Sequence, residues 1–459
     1  MTTGQGGIRM RKGLKFDVMK DSPYRIMFCV MLPLVISTFV SLFTSPISTK
    51  LVSQYVGDIY FTSVGLVSTV LTAFQQVVGA IISAAWIKTA YILKGRDQQR
   101  AQGTFWNAVY AILGVELILA ILLLVLADPI FVLIHIPAEI YAQVKLYYCV
   151  FIVVYTLSAF SSFITTLVHG FCSSAGIFVI HILSLVIGLV CSAVFLRILP
   201  RSVINPSLTG IVSTGIMLAV SIFLLCRSGL KLRLGKTQCK PDWKLIWDII
   251  RYGFVIALQI LFCSAGYLLV TVQTNKYLPL EYISVLSISL PIVGPMTHFT
   301  TACSVFIPPN YASGNSQRVK SFVKIAQTGC TIYSCLCFVF YALLGEWYYG
   351  TLFTDPQIVA YGKEFWFWQG LGYIGMSALC VMRTVYDSVG LGKLSLVCGI
   401  CEFTSNLLCA FWLIPSYGTI GRTLSYPLGW WMAALFLLFS YPFLRKRIYS
   451  PAHRTAQTA

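Results

Sequence analysis

The chain has 459 residues, of which 57% are hydrophobic and only 10% are charged. Water-soluble domains carry about 25% charged residues, so this composition excludes an ordinary soluble protein and predicts one that lies mainly in a lipid bilayer. The formal net charge of +18 is distributed over the loops between apolar runs, which argues against a nucleic-acid-binding surface.

The chain begins with a polar and basic segment. Residues 1–23 contain no short apolar core before a small-residue cleavage site, so we expect no removed signal peptide. We predict that this segment is cytoplasmic and that the first apolar run is an uncleaved membrane helix.

Twelve apolar runs follow, and each is long enough to cross a bilayer as a helix of about 20 residues. The runs are continuous rather than alternating, which favours helices over the strands of a membrane barrel. We therefore predict an all-α polytopic membrane protein. Its membrane helices are expected at residues 24–53, 59–90, 103–126, 142–167, 172–199, 208–226, 252–276, 282–307, 321–345, 361–386, 394–415 and 420–443.

The distribution of Lys and Arg predicts the orientation of these helices. With the N-terminus in the cytoplasm, 24 of the 33 Lys and Arg residues fall on the cytoplasmic side and 6 in the outer loops. Membrane proteins carry their excess of Lys and Arg in cytoplasmic loops. We expect a multi-pass protein of the plasma membrane with both termini in the cytoplasm.

One long basic loop divides the predicted helices into two sets of six. The N-lobe, residues 24–226, holds the first set, and the C-lobe, residues 252–443, holds the second. A cytoplasmic linker, residues 227–251, lies between them, and residues 444–459 form a cytoplasmic tail. Because six is an even number, both lobes enter the membrane in the same orientation and form parallel repeats.

Part of the linker has the pattern of a short amphipathic helix on the inner leaflet, at residues 241–250. Asp242 is its expected N-cap, because a carboxylate there accepts hydrogen bonds from the first free N–H groups of a helix. The predicted apolar face consists of Trp243, Ile246, Trp247 and Ile250.

The two lobes also share a sequence repeat. Gly95 is followed 42 residues later by Pro137, and Gly314 is followed 42 residues later by Pro356. Both pairs are offset by 219 positions. Such duplication is typical of transporters whose substrate site lies between two repeats. A cavity between the lobes that opens to alternate sides is the resulting hypothesis.

Six short motifs occur in a fixed order along nearly the whole chain. They are Leu32-Pro33, Val52-x-x-Tyr55-Val56-Gly57, Lys94-Gly95-Arg96-Asp97, Gly170-Phe171-x-x-x-x-Gly176, Leu208–Thr214 and Gly390-x-Gly392-Lys393. In this order, and with twelve helices in two sets of six, the chain resembles the multidrug and toxic compound extrusion (MATE) family of the MOP flippase superfamily.

The resemblance implies a secondary active antiporter that exports organic cations, drugs or metabolites by alternating access. It implies H⁺ or Na⁺ as the coupling ion and no other cofactor. The expected partners are the lipid bilayer and a small cationic or amphipathic substrate, and we expect a monomer. The superfamily also contains flippases for polyprenyl-linked saccharides and other lipid-linked precursors, and this alternative stays open.

One departure from the family pattern affects the coupling chemistry. Many bacterial members of the family carry an aspartate in helix 1, nine residues before the glycine that Gly57 matches. Here that position is Ser48, and a hydroxyl does not exchange a proton near neutral pH as a carboxylate does. Predicted helix 7 also contains no Asp or Glu, and Gln259 is among its polar residues.

Polar groups inside the predicted helices are therefore the candidates for the transport pathway or for ion coupling. A charge at the bilayer centre costs about 2.5–3.5 kcal/mol on insertion scales, so each charge needs a partner or a watery cavity. Glu116 and Glu402 are the best candidates for carrying a coupling proton. Arg383 and Asp387, four residues apart, are expected to neutralise one another. The remaining candidates are Asn406, His298, Lys50 and Ser48.

Other classes of protein find no support in the sequence. The five histidines form no paired-histidine or HExxH pattern, and the CxxC at Cys398 and Cys401 has no second copy. Neither an enzyme, a channel nor a metal site is expected. The densest aromatic cluster, residues 365–368, is expected to face lipid or the membrane interface more often than a ligand.

Overall fold

The structure of the protein is a computed structural model, and its described part consists of helices joined by short turns. The described residues are 20–32, 34–36, 58–93, 98–133, 136, 138–171, 174–198, 205–227, 240–287, 294–352 and 355–449. Within these ranges every regular element is helical. Seven helices there are long and apolar enough to cross a membrane.

The chain divides into two compact units, Met1–Gly253 and Phe254–Ala459. The sequence predicts a linker at residues 227–251 and a C-lobe that begins at residue 252. The first unit contains α1 (helical at 23–32 and 34–36), α2 (Asp58–Leu93), α3 (Gln98–Val125), α4 (Ala127–Leu133), α5 (Tyr141–Phe171), α6 (Ser174–Ile198) and α7 (Asn205–Arg227). Its core forms where α5 packs against α2, α3 and α7.

The second unit is built around α12, which packs against α9, α10, α11, α13 and α15. Its helices are α9 (Leu280–Ser287), α10 (Gly294–Ala312), α11 (Ser316–Leu352), α12 (Pro356–Ser388), α13 (Gly392–Leu408), α14 (Ile414–Tyr417) and α15 (Thr419–Tyr449). A single wide turn of π-helix, Cys409–Leu413, joins α13 to α14.

Helix α8 (Trp243–Tyr277) belongs to both units. Asp242 caps it as predicted, because its carboxylate accepts hydrogen bonds from the backbone N–H groups of Lys244 and Leu245 at 3.1 and 3.2 Å. The side-chain Oδ1 of Asn107 in α3 in turn accepts a hydrogen bond from the backbone N–H of Asp242 at 2.7 Å. At Gly253 a methyl group would lie 2.9 Å from the Cα of Ile81, so α8 starts in close contact with α2.

The predicted amphipathic helix of the linker is therefore not a separate element. Residues 243–250 are the first two turns of α8, which continues without a break into the membrane-length segment. Ile246 is buried, whereas Trp243 and Trp247 are exposed. The two tryptophans lie one helical turn apart and suit the headgroup level of a bilayer. Linker residues 228–239 lie outside the described part of the chain.

In the structure, the second copy of the sequence repeat forms a turn between two helices and the cap of the next helix. Gly314 has a φ of +73° in the turn between α10 and α11, a conformation that side chains other than glycine adopt at a cost. Asp355 caps α12 by accepting the N–H of Gln357 at 2.8 Å, and Pro356 occupies the first turn, where its missing N–H is not needed. The first copy, at Gly95 and Pro137, lies outside the described residues.

Two of the predicted membrane helices each correspond to more than one helix of the structure. The run at residues 282–307 corresponds to α9 and α10, and residues 288–293 between them lie outside the described part. The run at residues 394–415 corresponds to α13, the wide turn and α14.

One ion pair fastens α4 to α5 at their surface. Asp128 of α4 accepts hydrogen bonds from Lys145 Nζ at 2.6 Å and from the Tyr141 hydroxyl at 2.5 Å. The hydrogen bond from Lys145 is the main cause that lowers the pKa of Asp128. All three side chains are near solvent, so this pair contributes little to stability.

Glycines allow the helices of the second unit to approach closely, as is common where helices pack inside membranes. A methyl group on Gly372 of α12 would lie 3.0 Å from the Cα of Pro427 in α15. At the start of α15, a methyl group on Gly421 would clash with the carbonyl oxygen of Leu413 and lie 2.8 Å from the backbone nitrogen of Ile414. The wide turn thus packs backbone to backbone against α15.

This close contact generates a stability prediction. We expect Gly421→Ala to destabilise the protein by about 1–3 kcal/mol, because overpacking forces the backbone to shift, and to lower the thermal unfolding temperature in detergent by several degrees. Gly350→Ala is the matched control, since a methyl group there meets nothing within 4 Å. Equal unfolding temperatures for the two variants would contradict the predicted contact.

Candidate functional site

Glu402 is the centre of a buried polar cluster in the second unit. It lies on α13, and only 2% of its surface is exposed. Its Oε2 accepts a hydrogen bond from the Tyr267 hydroxyl of α8 at 3.2 Å. That hydroxyl accepts one from Trp430 Nε1 of α15 at 3.1 Å. Three helices therefore fix the position of this carboxyl group.

Arg383 of α12 is the cationic partner of Glu402. Its Nη1 lies 3.2 Å from Glu402 Oε1. The sequence predicts that Asp387, on the same helix, neutralises Arg383, and the two side chains attract one another electrostatically. The ion pair in direct contact joins two helices, because α12 and α13 run side by side beyond the turn at Gly390. Asp387 lies one turn further along α12, and its side chain is half-buried.

Gln259 of α8 holds the other side of the guanidinium. With its amide oxygen turned toward Arg383, it accepts hydrogen bonds from Nη1 at 2.8 Å and from Nε at 3.3 Å. The cluster therefore contains one cation, one carboxyl group in direct contact with it, and neutral donors and acceptors that fix both. This arrangement satisfies the rule that a charge in the membrane is paired.

Two close helix contacts build this cluster. A methyl group on Gly399 of α13 would lie 2.7 Å from the backbone oxygen of Gln259, and one on Gly266 of α8 would lie 3.0 Å from the amide of Asn406. Glycine at both positions lets α8 and α13 approach until side chains one turn away can bond directly. The CxxC spacing that includes Gly399 thus serves helix packing.

Asn406 is buried one turn beyond Glu402 on α13. Neither its amide oxygen nor its amide nitrogen has a hydrogen-bonding partner in the described part of the chain. Buried polar atoms in proteins are normally paired, so this unpaired amide is an exception in the packing of α8 against α13.

Glu116 is the second buried carboxyl group. It lies in the middle of α3 in the first unit and has no exposed surface. Neither carboxyl oxygen has a hydrogen-bonding partner among the residues that the structure describes. Its neighbours Leu117 and Ile118 are exposed, so the helix presents apolar side chains outward and its one acid inward. A buried carboxyl group without a donor is costly as an anion.

Three other predicted site residues remain predictions. His298 lies on α10 and is half-buried, while Ser48 and Lys50 lie outside the described residues. The aromatic cluster at residues 365–368 is divided between core and surface. Trp366 is fully buried and stacks on Tyr348 with ring centroids 4.5 Å apart. Its ring therefore packs in the protein core and does not face lipid.

Sequence analysis missed three members of the cluster. Tyr267, Trp430 and Gln259 come from helices that are distant in the sequence from Glu402, and none carries a charge. Gln259 offered one signal, because it is a polar residue in the acid-free helix 7. The distance in the sequence between Gln259 and Glu402 gives no such signal, because only the packing of α8 against α13 brings the two residues together.

Comparison with known proteins identifies this fold. Residues 255–412 match the MatE family model. No curated protein matches the chain. A solved structure of a multidrug resistance MATE family transporter of the MOP superfamily, in an outward-facing conformation, is 16% identical to this chain. It superposes with a TM-score of 0.78 over 96% of this chain and 98% of its own.

Two further solved structures agree. The MATE transporter VcmN from Vibrio cholerae is 11% identical, with a TM-score of 0.82 over 93% of this chain and 98% of its own. A MOP superfamily transporter from Pyrococcus furiosus, described as having a binding pocket of reverse polarity, is 15% identical. Its TM-score is 0.78 over 96% of this chain and 99% of its own.

These comparisons define an all-α polytopic membrane protein with the fold of MATE transporters, as the sequence predicted. The part of the second unit from residue 255 to residue 412 matches the MatE family model.

The geometry of the ion pair generates a second prediction. Arg383→Gln alone should destabilise the protein by about 3–5 kcal/mol, because it leaves the Glu402 carboxylate buried without its cation. The double variant Arg383→Gln/Glu402→Gln carries neither charge and should recover much of this loss. Thermal unfolding in detergent at neutral pH measures both effects.

The exposed pair Lys363–Glu346, at 2.7 Å, provides the control. Lys363→Gln should change the unfolding temperature little, because solvent-exposed ion pairs contribute little to stability. If the losses of Arg383→Gln and Glu402→Gln simply add in the double variant, the two charges do not compensate one another.

Proposed function

We propose that the protein is a secondary active antiporter of the MATE type that exports organic cations, drugs or metabolites by alternating access. The fold supports a transporter of this kind, and the sequence contains no phosphate-binding loop for ATP. The excess of Lys and Arg in the loops assigned to the cytoplasm supports a plasma-membrane protein with both termini inside. We further propose that it acts as a monomer within the bilayer.

The observation that carries the coupling proposal is the presence of a buried carboxyl group in each unit, Glu116 and Glu402. Of the two ions that the family resemblance implies, we propose H⁺. A single carboxyl group is sufficient for a proton.

Glu402 offers a mechanism for the coupling. As a carboxylate it attracts Arg383 at 3.2 Å, and this contact ties α13 to α12. Protonation removes the negative charge and with it most of the attraction, so the two helices become free to separate. A proton thus shifts the equilibrium between two arrangements of this unit, because the Arg383–Glu402 contact is strong in only one of them. A coupling ion must act in this way.

A flippase for a polyprenyl-linked saccharide or another lipid-linked precursor is the second candidate function. Arg383 favours it, because a guanidinium is a good phosphate ligand. A diphosphate would need several such cations, and Arg383 is paired with Glu402. Organic cations and amphipathic drugs are therefore the first substrates to test.

Transport into proteoliposomes tests the proposed function. A cationic fluorescent dye should move under an imposed pH gradient and more slowly under a sodium gradient. Movement under neither gradient, together with movement of a labelled polyprenyl-linked saccharide, would replace the antiporter with the flippase.

Two variants test the coupling residues. We expect Glu116→Gln and Glu402→Gln each to reduce pH-driven dye transport by about tenfold or more, because an amide cannot exchange a proton. Glu346→Gln removes an exposed carboxylate from α11 and should transport at the rate of the unmodified protein. Unchanged pH-driven transport in both Glu116→Gln and Glu402→Gln would exclude these residues as proton carriers.

A further inference from the structure

Cations from distant parts of the sequence meet where α11 begins and α15 ends. The Nζ of Lys320, on α11, lies 5.4 Å from the centre of the Tyr449 ring, on α15. Arg445 and Lys446 precede Tyr449 by four and three residues, so they lie on its side of the helix. All of these cations are exposed, and so is the next lysine along α11. We call these four residues the basic patch: Lys320, Lys324, Arg445 and Lys446.

The basic patch has no acidic partner in the part of the chain that the structure describes. In the sequence, no Asp or Glu lies between residues 282 and 345, and none follows Glu402. The three ion pairs found among the described residues are formed by other side chains. Four positive charges therefore lie together on the surface of the second unit without a counter-charge from the described residues.

On α11 the basic patch continues into a row of exposed apolar side chains. After Lys320 and Lys324 the exposed residues recur at steps of three or four, as they do along one side of a helix. The apolar members of the row are each at least half exposed, and they are Ile332, Leu336, Val339 and Leu343. In a membrane such side chains contact acyl chains, which are as apolar as leucine.

The end of α15 has the same arrangement. Phe439 and Phe443, one helical turn apart, are 73% and 87% exposed, and Lys446 follows three residues later. The Tyr311 hydroxyl of α10 donates a hydrogen bond to the backbone oxygen of Arg447 at 3.1 Å, which fastens this end of α15 beside the start of α11. Both helices therefore carry exposed apolar side chains up to the point where their cations begin.

The spacing along α11 places the basic patch at the level of the lipid headgroups. The exposed Trp347 lies 23 residues beyond Lys324, which corresponds to about 35 Å along the helix. The hydrocarbon core of a bilayer is about 30 Å thick, and an exposed tryptophan marks its boundary with the headgroups. Lys324 then lies at the opposite boundary, which the distribution of Lys and Arg assigns to the cytoplasmic leaflet.

We propose that the basic patch binds the phosphate headgroup of an anionic phospholipid of the cytoplasmic leaflet, whose acyl chains lie along the exposed rows of α11 and α15. Basic side chains near a membrane surface attract anionic lipids, and four of them around Tyr449 concentrate this attraction at one point. Orientation of the helices requires only an excess of Lys and Arg on one side. It does not require cations from two helices to flank one ring. The site goes beyond the proposed transport function and does not depend on the transported compound.

Native mass spectrometry of the purified protein in detergent tests the site. Titration with dioleoyl phosphatidylglycerol, which is anionic, and with dioleoyl phosphatidylcholine, which has no net charge, gives a dissociation constant for the first bound lipid of each kind. We expect the protein to bind phosphatidylglycerol about tenfold more tightly than phosphatidylcholine, because several cations attract its phosphate. Lys320→Gln/Lys446→Gln removes one cation from each helix and should reduce this preference to about twofold. Lys320→Arg/Lys446→Arg keeps both charges and should retain the preference.

Lys393→Gln/Arg447→Gln is the matched control, because it removes two exposed cations outside the basic patch. Arg447 is two residues from Tyr449 and so points to another side of α15. The control should keep the lipid preference of the unmodified protein. Equal preference for the two lipids in the unmodified protein, or an equal loss in the control, overturns the proposal.

Thermal unfolding in detergent without added lipid separates binding from folding. Lys320→Gln/Lys446→Gln should unfold at the temperature of the unmodified protein, because both side chains are exposed. If this variant does not fold, Lys324→Gln/Arg445→Gln replaces it, and the same loss of preference is expected. A preference that persists in a folded variant of either pair contradicts the site.

Inorganic phosphate distinguishes a lipid from a soluble anion. It carries the charge but no acyl chains, so a large excess should leave phosphatidylglycerol bound. Displacement of the lipid by phosphate at a comparable concentration would assign the basic patch to a soluble anion and overturn the proposal. Lipid preference that depends on the basic patch, in a protein that moves no dye in proteoliposomes, supports the site and contradicts the antiporter.

Discussion

The cost of placing charge in a bilayer governs how the second unit is built. Arg383 and Glu402 are tolerated because each neutralises the other at 3.2 Å and because Gln259 and Tyr267 supply the remaining hydrogen bonds. Those contacts come from three helices, so they require α8, α12 and α13 to meet at one level. The glycines that allow this approach are therefore part of the same constraint: a larger residue at Gly399 would separate the helices and leave the charges unpaired.

The two units meet this constraint in opposite ways. The second unit compensates Glu402 with a cation and a set of neutral donors. In the first unit Glu116 is buried with no hydrogen-bonding partner among the described residues. Two acids in one chain can thus serve different purposes, one as half of a contact between helices and the other as a group with an unused binding capacity. The two units therefore carry different chemistry around their buried acids.

Much of the fold could be predicted from the sequence, whereas only part of the candidate site could. Apolar runs predict membrane helices because length and composition decide whether a helix can cross a bilayer. Asp242 predicts a helix start because capping is a local interaction. The partner of Arg383 could not be predicted, because local spacing suggests Asp387 and only tertiary packing brings Glu402 closer. The same limit hid Tyr267 and Trp430, which are 163 residues apart in the sequence.

Helix α8 has a mechanical consequence. It is one unbroken rod from Trp243 to Tyr277, with its first turns in one compact unit and the rest in the other. Its first end is fastened through Asn107, and its middle carries Gln259 and Tyr267 of the polar cluster. Because the backbone hydrogen bonds of a helix are continuous, the capped first turn of α8 and the side chains that hold Arg383 and Glu402 belong to one stiff element.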